Sequence, residues 1–454
     1  MRIVLSIPQE FLDVLSSIGG IFYGNIKHKF VYAICTDSRE CQDGDLFFAL
    51  KGKHFDGNIF IKDIIKVGGI PIGPGVTTFG IKTESGNAAL LDFTKFYKGR
   101  LPHLKYTVAI TGSVGKTTTK EFLKILAQQR YKTHSTRENL NNEVGVPITV
   151  LSAPADTEVL ICELGMNHSG EIKVLSDTVR PNIAIITKIG SAHIGNLGSI
   201  KNIARAKLEV TSGLNGWLSI PYDEPLLECD HKNIITHSAK NKNATYAAIK
   251  NGFGLLELYH NGELLEIIDY QFKGNHLYEC LAAAACAAIN MEVPQETIKD
   301  GIKEIKEDSF RHKIYQSPNG FYILDDSYNA SYDSVIAAID LLNTVDSYSQ
   351  KNVLLGDILE LGDKSEEIHK TIGKAIAEYN FDNLFIIGNF AHHIEKGALE
   401  KGFPKKRIFV NRDIHSPETT SSVILQNVKP NGILLIKASH KMNMERIINL
   451  IMGK

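Results

Sequence analysis

Residues 108–121 read VAITGSVGKTTTKE, and this stretch does most to decide the fold. An apolar, β-branched run leads into Gly112 and Gly115, and Lys116-Thr117 then opens a segment with helical periodicity. Glycines let backbone N–H groups converge on phosphate oxygens, and the N-terminus of the helix adds a favourable partial charge. The lysine can reach the β- and γ-phosphates, and the threonine hydroxyl can bind Mg²⁺. The stretch therefore predicts a strand, a phosphate-binding loop and a helix.

The loop has the short TGxxGKT form, because Ile110 stands where the usual eight-residue pattern begins with glycine. A chance glycine-rich turn in front of a helix is the alternative interpretation. We expect a nucleoside triphosphate to contact Gly112, Ser113, Val114, Gly115, Lys116, Thr117 and Thr118.

Apolar runs and helical patterns alternate on both sides of the loop. Residues 106–110, 159–162 and 182–187 are short and apolar, as is typical of buried parallel strands. Residues 117–130 place apolar side chains on one helical face, and the alanine-rich residues 277–290 predict a second helix. These patterns predict a parallel sheet covered by helices.

A further strand–helix series follows residue 312, and a different pattern precedes residue 102. Residues 1–102 show short strands and turns, ending in a candidate linker at 99–102. We predict an α/β protein of three domains: a small mixed α/β domain (1–102), a central nucleotide-binding domain with a parallel sheet (103–312) and a C-terminal Rossmann-like domain (313–454). The last domain is expected to have strands at 321–324, 353–355, 384–387 and 433–436, and helices near 333–342 and 365–379.

Length and composition agree with this organisation and exclude several classes of protein. At about 150 residues per domain, 454 residues correspond to three domains. Fifty Lys and Arg residues against 51 Asp and Glu give a net charge of −1, which argues against a general nucleic-acid or membrane-surface binder. Six cysteines without a CxxC pair support neither a disulfide scaffold nor a zinc ribbon. Without a membrane-spanning run or a secretory signal, we expect a cytoplasmic protein that does not insert into membranes.

Three further residues are candidates for a site around a cation. Glu163 ends an apolar strand and is followed by Gly165, which would place its carboxylate at the ligand-binding edge of the sheet. His193 lies just past the end of another strand, although Mg²⁺ prefers oxygen ligands. Lys207 lies in a helical run, and burial there would lower its pKa and leave a reactive amine. A surface acid, a structural histidine and a solvated lysine are the alternatives.

Several ordered motifs resemble those of the Mur ligases, enzymes that use ATP to form amide bonds. The similar segments are 36–57, 111–121, 138–147, 163–172, 190–199, 204–209, 274–276, 325–334 and 355–369, and they span all three predicted domains. Tripeptide-forming relatives and folylpolyglutamate synthases are not expected to combine NNEVGVP (141–147), DDSYNA (325–330) and LGDILELG (355–362). The combination resembles the members that join D-Ala-D-Ala to a UDP-N-acetylmuramoyl tripeptide.

The resemblance implies roles for individual residues. Lys116, Glu163, His193 and Lys207 would be catalytic, and Thr117, Glu163, His193 and a carbamylated Lys207 would bind two Mg²⁺ ions. Asn275, Arg311 and Asp326 would contact the adenine, phosphate and ribose of ATP. The UDP-sugar would be held by Asp37, Ser38 and Arg39, and the peptide and dipeptide by Asn139, Asn141, Asn142, Asn329 and the loop from Asp357 to Leu361.

The implied reaction is transfer of the γ-phosphoryl group of ATP to the tripeptide carboxylate, followed by attack of the dipeptide amine on the acyl phosphate. This is the last cytoplasmic step in building the peptidoglycan pentapeptide precursor, and a monomer is expected. A sister ligase that adds a single amino acid and a non-catalytic ATP-binding switch are the alternatives. The third residue of the acceptor peptide and the general base for the amine are not identified.

Two positions depart from the family pattern. Residues 437–440 read Lys-Ala-Ser-His where Lys-Gly-Ser-Arg is usual, and histidine lacks the fixed fork with which arginine binds a carboxylate. Ser331-Tyr332 replace a commoner Asn-Pro, which we expect to alter a turn and leave the chemistry unchanged.

Overall fold

Three large β-sheets follow one another along the chain in the computed structural model, which describes residues 1–25, 27–272, 274–305, 313–345 and 347–453. They are built from residues 2–82, 106–268 and 313–437. Each sheet has its own helices and apolar core, which confirms the predicted three-part α/β fold. The domain boundaries at 102 and 312 remain a prediction.

The first sheet is mixed and has the strand order β1-β3-β4-β7-β8-β2. Helix α3 covers it with a buried stripe that includes Leu90, Phe93 and Tyr97. The sequence patterns predicted the short strands but not this helix. The elements are β1 Arg2–Glu10, α1 Phe11–Ile18, β2 Ile21–Tyr23, β3 Phe30–Cys35, β4 Leu46–Phe48, β5 Lys51–Gly52, β6 Phe55–Asp56, α2 Ile61–Lys66, β7 Ile70–Ile72, β8 Gly80–Lys82 and α3 Gly86–Lys98, with β5 and β6 forming a separate hairpin.

The second sheet has nine strands in the order β10-β11-β9-β12-β13-β14-β15-β16-β17. It is parallel from β10 to β15, and β16 and β17 add an antiparallel extension that the sequence analysis did not predict. Its strands are β9 Tyr106–Thr111, β10 Thr133–Ser135, β11 Val159–Glu163, β12 Ile183–Ile186, β13 Trp217–Pro221, β14 Ile234–Ser238, β15 Tyr246–Lys250, β16 Leu256–His260 and β17 Glu263–Ile268. Its helices are α4 Lys116–Gln128, α5 Gly145–Leu151, α6 Glu171–Val179, α7 Ile194–Leu197, α8 Ile200–Leu208, α9 Asn275–Asn290 and α10 Gln295–Glu304.

Helices cover both faces of this second sheet. Phe122 and Leu126 of α4 pack with the alanine-rich helix α9 on one face, and Ile172 of α6 and Ile203 of α8 pack on the other. The small side chains of α9 let it approach α4 closely, so a larger residue there would cost about 1–3 kcal/mol. Because helices cover both faces of the sheet, its central strands are apolar along their whole length.

The third sheet has the order β18-β19-β23-β20-β21-β22, in which only β18 is antiparallel to its neighbour. All four predicted strands and both predicted helices of this part are present, with ends shifted by a few residues. The elements are β18 Lys313–Gln316, β19 Tyr322–Asp325, α11 Tyr332–Thr344, β20 Lys351–Gly356, α12 Ser365–Ile376, β21 Asn383–Ile387, α13 Ala391–Glu400, β22 Ile408–Asn411, α14 Pro417–Asn427, β23 Ile433–Lys437 and α15 Glu445–Ile451. Among the described residues, no helix is long and apolar enough to cross a bilayer.

Candidate active site

The phosphate loop lies between β9 and α4, as predicted. Gly112 and Gly115 have φ angles of +142° and +89°, a region that L side chains rarely adopt. A Cβ atom on Gly112 would lie 2.1 Å from Oγ1 of Thr187, so the loop passes too close to the residues that follow β12 for any side chain. The N–H of Ser113 donates to the carbonyl of Lys188 (2.7 Å), which fixes the loop against the segment after β12.

Lys116 is the first residue of α4 and folds back over the loop. Its Nζ donates to the carbonyl oxygen of Gly112 (2.7 Å). The ammonium group and the N-terminus of α4 therefore place positive charge at the same point, where phosphate oxygens would bind.

Glu163 is brought to the loop by strand pairing, because β11 lies beside β9 and Glu163 pairs with Ile110. Its carboxylate is 1% exposed, and its Oε2 accepts from the Thr117 hydroxyl at 2.9 Å. Its Oε1 accepts from the side-chain amide of Asn141, also at 2.9 Å. A buried carboxylate is thus held in one orientation beside the phosphate loop.

His193 and Lys207 belong to the same electrostatic neighbourhood. Burial, and then the charges of Lys116 and Lys207, lower the pKa of His193. Burial, and then the charge of Lys116, lower the pKa of Lys207, while Glu163 acts in the opposite direction. Lys207 is 1% exposed, so it is not the solvated lysine of the alternative interpretation. The charge of Lys116 at the loop therefore acts on both His193 and Lys207.

A cavity of 580 Å³ opens between the second and third sheets. One wall carries the phosphate loop and the other carries side chains from the third sheet and its loops. The predicted site residues that line it are Ser113, Val114, Gly115, Lys116, Thr118, Asn139, Asn141, Asn142, Glu163, His193, Asp326, Asn329 and Leu361.

Two other predicted residues have different positions, and a third is not described. Asp357 is buried, and its carboxylate accepts from the N–H groups of Asn389 (2.8 Å) and Phe390 (3.0 Å), so it holds a neighbouring loop and does not line the cavity. Asn275 is exposed at the start of α9, next to His276, which does line the cavity. Arg311 lies outside the described residues.

The Asp37-Ser38-Arg39 segment lies in the turn after β3 and does not line the cavity. The Arg39 guanidinium, whose side chain is 85% exposed, binds the Asp37 carboxylate at 2.6 Å. Hydrogen bonds from the Arg39 side chain and backbone lower the pKa of Asp37. The segment is therefore separate from the phosphate loop, and its predicted contact with a UDP-sugar stays a prediction.

The third sheet and its loops make contacts at the site that were not predicted. Nδ1 of His193 donates to Oε2 of Glu360 (2.9 Å), and the buried Lys437 ammonium lies 2.7 Å from Oδ2 of Asp326. Lys437 also donates to the carbonyl of Asn329 (2.9 Å), so it fixes the 326–329 loop. Glu360 and Lys437 both lie in segments quoted for their motifs, but the sequence does not show which partners they meet.

The two departures from the family pattern have clear structural settings. Ser331 caps α11: its hydroxyl accepts from the N–H of Ser334, and the Ser334 hydroxyl accepts from the N–H of Ser331. Serine and asparagine are both good N-caps, so Ser331 keeps the cap of α11. The expected change in the turn stays a prediction. His440 lines the cavity, with its ring centroid 5.7 Å from that of Tyr328.

The donor set around Glu163 fits a magnesium ion bound together with a nucleotide. Within the described ranges, no group of three or more His, Cys, Asp and Glu side chains could hold a metal by itself. Magnesium at nucleotide sites usually takes one or two protein oxygens, with phosphate oxygens and water completing the shell. The Thr117 hydroxyl and the Glu163 carboxylate, 2.9 Å apart, provide such a pair.

Comparisons with known proteins agree on one family. Residues 110–288 match the Mur ligase middle domain, and residues 310–440 match the Mur ligase glutamate ligase domain. The UDP-N-acetylmuramoyl-tripeptide--D-alanyl-D-alanine ligase of Bacillus subtilis (strain 168) is 33% identical over 92% of each chain. The crystal structure of MurF from Acinetobacter baumannii is 26% identical, covers all of both chains and superposes with a TM-score of 0.86. MurF ligase from Thermotoga maritima in complex with ADP shares the fold, with 24% identity, a TM-score of 0.79 and coverage of 92% of this chain and 97% of its own.

Proposed function

The chain belongs to the Mur ligase family, and we propose that it joins D-Ala-D-Ala to UDP-N-acetylmuramoyl tripeptide at the expense of ATP. The observation that carries the proposal is the cavity between the second and third sheets. One wall presents Lys116 and Glu163 at the phosphate loop, and the other presents the 358–361 loop and His440. A γ-phosphate bound on the first wall would face a peptide bound against the second.

Charge is the main obstacle to this reaction. The tripeptide carboxylate and the γ-phosphate are both anionic, and bringing them within reach costs several kcal/mol unless cations screen them. Lys116 and the N-terminus of α4 lower this cost at the phosphate loop. Thr117 and Glu163 would hold Mg²⁺, which supplies further neutralisation of the triphosphate when bound.

Lys207 and His193 are the proposed holders of a second magnesium ion. Burial disfavours the ammonium form of Lys207, and a neutral amine can combine with CO₂ to give a carbamate with release of one proton. The carbamate would turn a nitrogen donor into the oxygen donor that Mg²⁺ prefers. His193 donates from Nδ1 to Glu360, which leaves Nε2 as its ligand atom.

Two group transfers complete the reaction. An oxygen of the tripeptide carboxylate bonds to the γ-phosphorus as the bond to ADP breaks, which gives an acyl phosphate. The dipeptide amine then bonds to the acyl carbon, loses one proton and expels phosphate. Enclosure between the two walls protects the acyl phosphate from hydrolysis.

The remaining substrate contacts follow the family pattern. We propose that Asn275 and Asp326 contact the nucleoside of ATP, that Asp37–Arg39 hold the UDP-sugar, and that the asparagines at 139, 141, 142 and 329 contact the peptides. ATP and a UDP-linked precursor would place the reaction in the cytoplasm. The monomeric state stays a prediction.

Product analysis tests the proposal. The protein is incubated with ATP, Mg²⁺, D-Ala-D-Ala and UDP-tripeptides that end in a diamino acid with or without a second carboxylate, and the pentapeptide nucleotide is scored by mass spectrometry. A product that carries one added amino acid, formed when single amino acids are supplied, would favour a sister ligase. ATP hydrolysis that consumes no amine under any condition would favour a nucleotide switch.

A further inference from the structure

Asp333, in the first turn of α11, contacts the segment that follows β12. Its Oδ2 accepts from the Ser191 N–H at 2.8 Å and from the Ser191 hydroxyl at 3.2 Å. Ser191 is buried, so both bonds lie in the interface between the second and third sheets. Asp333 does not line the cavity, and we assign it no contact with a substrate.

The segment that Asp333 contacts also supports the phosphate loop. The Ser113 hydroxyl donates to the carbonyl of Gly190 (3.2 Å), and the Ser113 N–H donates to the carbonyl of Lys188 (2.7 Å). Residues 188–191 therefore have the phosphate loop on one side and the Asp333 carboxylate on the other. A hydrogen-bonded path runs from the third-sheet half of the molecule to the ATP site.

Gly190 shows how closely the two sides fit. A Cβ atom built there would lie 2.3 Å from Oδ2 of Asp333, and the three nearest atoms all belong to that carboxylate. A side chain at 190 would therefore displace the Asp333 carboxylate from its present position.

A second contact lies a few residues further along. The Gly195 N–H donates to the backbone carbonyl of Glu360 (3.0 Å), whose side chain accepts from His193. The third-sheet half thus holds the 190–195 segment at two points. The Glu360 contact touches a proposed metal ligand, whereas the Asp333 contact does not, so Asp333 can be tested without changing the metal site.

We propose that Asp333 is a positioning residue. Its two hydrogen bonds to Ser191, which we call the Asp333 clasp, form when the part of the chain that contains the third sheet closes on the phosphate loop, and they stabilise the closed, reactive arrangement. The proposal rests on the proposed ligase function. Because the Asp333 clasp joins the parts of the chain that contain the second and third sheets, its loss shifts the equilibrium from the closed towards the open arrangement. The nucleotide site of the open arrangement stays intact. Loss of the Asp333 clasp therefore lowers kcat more than it lowers the affinity for ADP, which keeps its contacts with the phosphate loop in the open form.

The test combines Asp333→Ala, Gly190→Ala and the double variant, with the exposed Glu378→Ala as the matched control. We expect Asp333→Ala to lower kcat about 10-fold, the scale of hydrogen bonds to a charged group. ADP affinity by calorimetry should fall by a smaller factor than kcat, because the phosphate loop binds ADP in the open form as well. Asp333→Asn, which keeps one acceptor oxygen, should fall between wild type and Asp333→Ala. The kcat of Gly190→Ala should be no higher than that of Asp333→Ala. The kcat of the double variant should equal that of Asp333→Ala, because the carboxylate that clashes with the new methyl group is gone.

X-ray scattering with a non-hydrolysable ATP analogue and the UDP-tripeptide reads closure directly. The radius of gyration of wild type and of Glu378→Ala should fall when the ligands bind. That of Asp333→Ala should fall less at equal ligand concentration. The proposal is overturned if Asp333→Ala has the kcat and the ligand-induced change in radius of gyration of wild type. It is also overturned if Asp333→Ala loses ADP affinity or thermal stability in step with kcat, or if the kcat of the double variant stays as low as that of Gly190→Ala. Failure of the wild type to form pentapeptide would contradict the proposed function, whereas the scattering comparison would still report on the clasp.

Discussion

Among single residues, Lys207 carries the most specific chemical prediction. Its ammonium form is disfavoured by burial and by the neighbouring Lys116 charge, so the residue is set up to act as something other than a surface cation. Lys207→Ala should reduce ligase activity by at least about 100-fold, since a proposed metal ligand is removed. Bicarbonate or short carboxylic acids that occupy the vacated space should restore part of it, as measured by pentapeptide formation.

Lys201, exposed on the same helix, provides the control for this experiment. Lys201→Ala removes a side chain of the same size without opening a buried space, and its activity should match wild type with or without added acids. Full activity in Lys207→Ala would remove this residue from the mechanism.

Local sequence was sufficient to predict some site residues and insufficient for others. Lys116 and Thr117 follow from a strand, loop and helix formed by consecutive residues, and Glu163 follows from its place at a strand end. Lys207 needed the family resemblance, because a lysine in a helical run has no local signal of burial. Glu360 was not predicted to contact His193 because the two are 167 positions apart and meet only across two sheets.

At the scale of elements, His369 in α12 holds the loop that faces the phosphate site. Its Nε2 accepts from the Ile358 N–H at 2.9 Å, and its Nδ1 donates to the Ser365 carbonyl at 2.6 Å. These two bonds require the neutral ring with the proton on Nδ1. Burial lowers the pKa of His369, Asp357 raises it, and His393 lowers it further.

The sign of the resulting pH dependence follows from this lowered pKa. Between the ordinary histidine pKa of about 6.5 and the lower folded value, the unfolded chain binds a proton that the folded chain does not. The free energy of unfolding should therefore fall as the pH drops from 7.5 towards 5.5. Urea titrations at the two pH values should show that the free energy of unfolding depends less on pH in His369→Leu than in wild type. At pH 7.5 the variant should also be less stable by about 1–3 kcal/mol, because the Ile358 N–H loses its acceptor. An unchanged pH dependence would contradict this role.

The capping box of α11 gives a second prediction at this scale. Ser331→Ala removes the acceptor for the Ser334 N–H and should cost about 1 kcal/mol. Ser331→Asn, the residue commoner in the family at this position, keeps a capping oxygen and should be within a few tenths of a kcal/mol of wild type. Equal loss of stability in both variants, measured by urea denaturation, would show that the hydroxyl has a role other than capping.

Sequence periodicity predicted the elements of the second and third sheets better than those of the first. Apolar strands between helices, such as β9 and β11, have a strong local pattern because both faces are covered. Helix α3 was not predicted because it begins with Gly86-Asn87, residues that favour turns, and its N-cap Ser85 is recognised only from its bond to Ala88. Strand β17 leaves Leu264 and Ile267 exposed, so its pattern did not indicate a partner strand.

For the whole molecule, the reactive groups are divided between two halves of the chain. The second sheet provides the phosphate loop and the proposed metal ligands, and the third sheet provides the 358–361 loop, Asp326 and Lys437. Neither half encloses an acyl phosphate by itself. The UDP-tripeptide must therefore be in place when the halves close, whereas the dipeptide is needed only for the second transfer.

This division predicts that the first transfer can be observed without the second. With ATP labelled by ¹⁸O in the β–γ bridge, reversible transfer to the tripeptide carboxylate should scramble the label into the non-bridging β-positions when D-Ala-D-Ala is absent. Scrambling should require the UDP-tripeptide, because ATP alone has no acceptor in the cavity, and Asp333→Ala should slow it if closure precedes the transfer. Phosphorus NMR measures the label, and omission of the UDP-tripeptide is the control. Absence of scrambling in every combination of substrates would argue against an acyl phosphate, and equal scrambling without the UDP-tripeptide would show that the phosphoryl group has another acceptor.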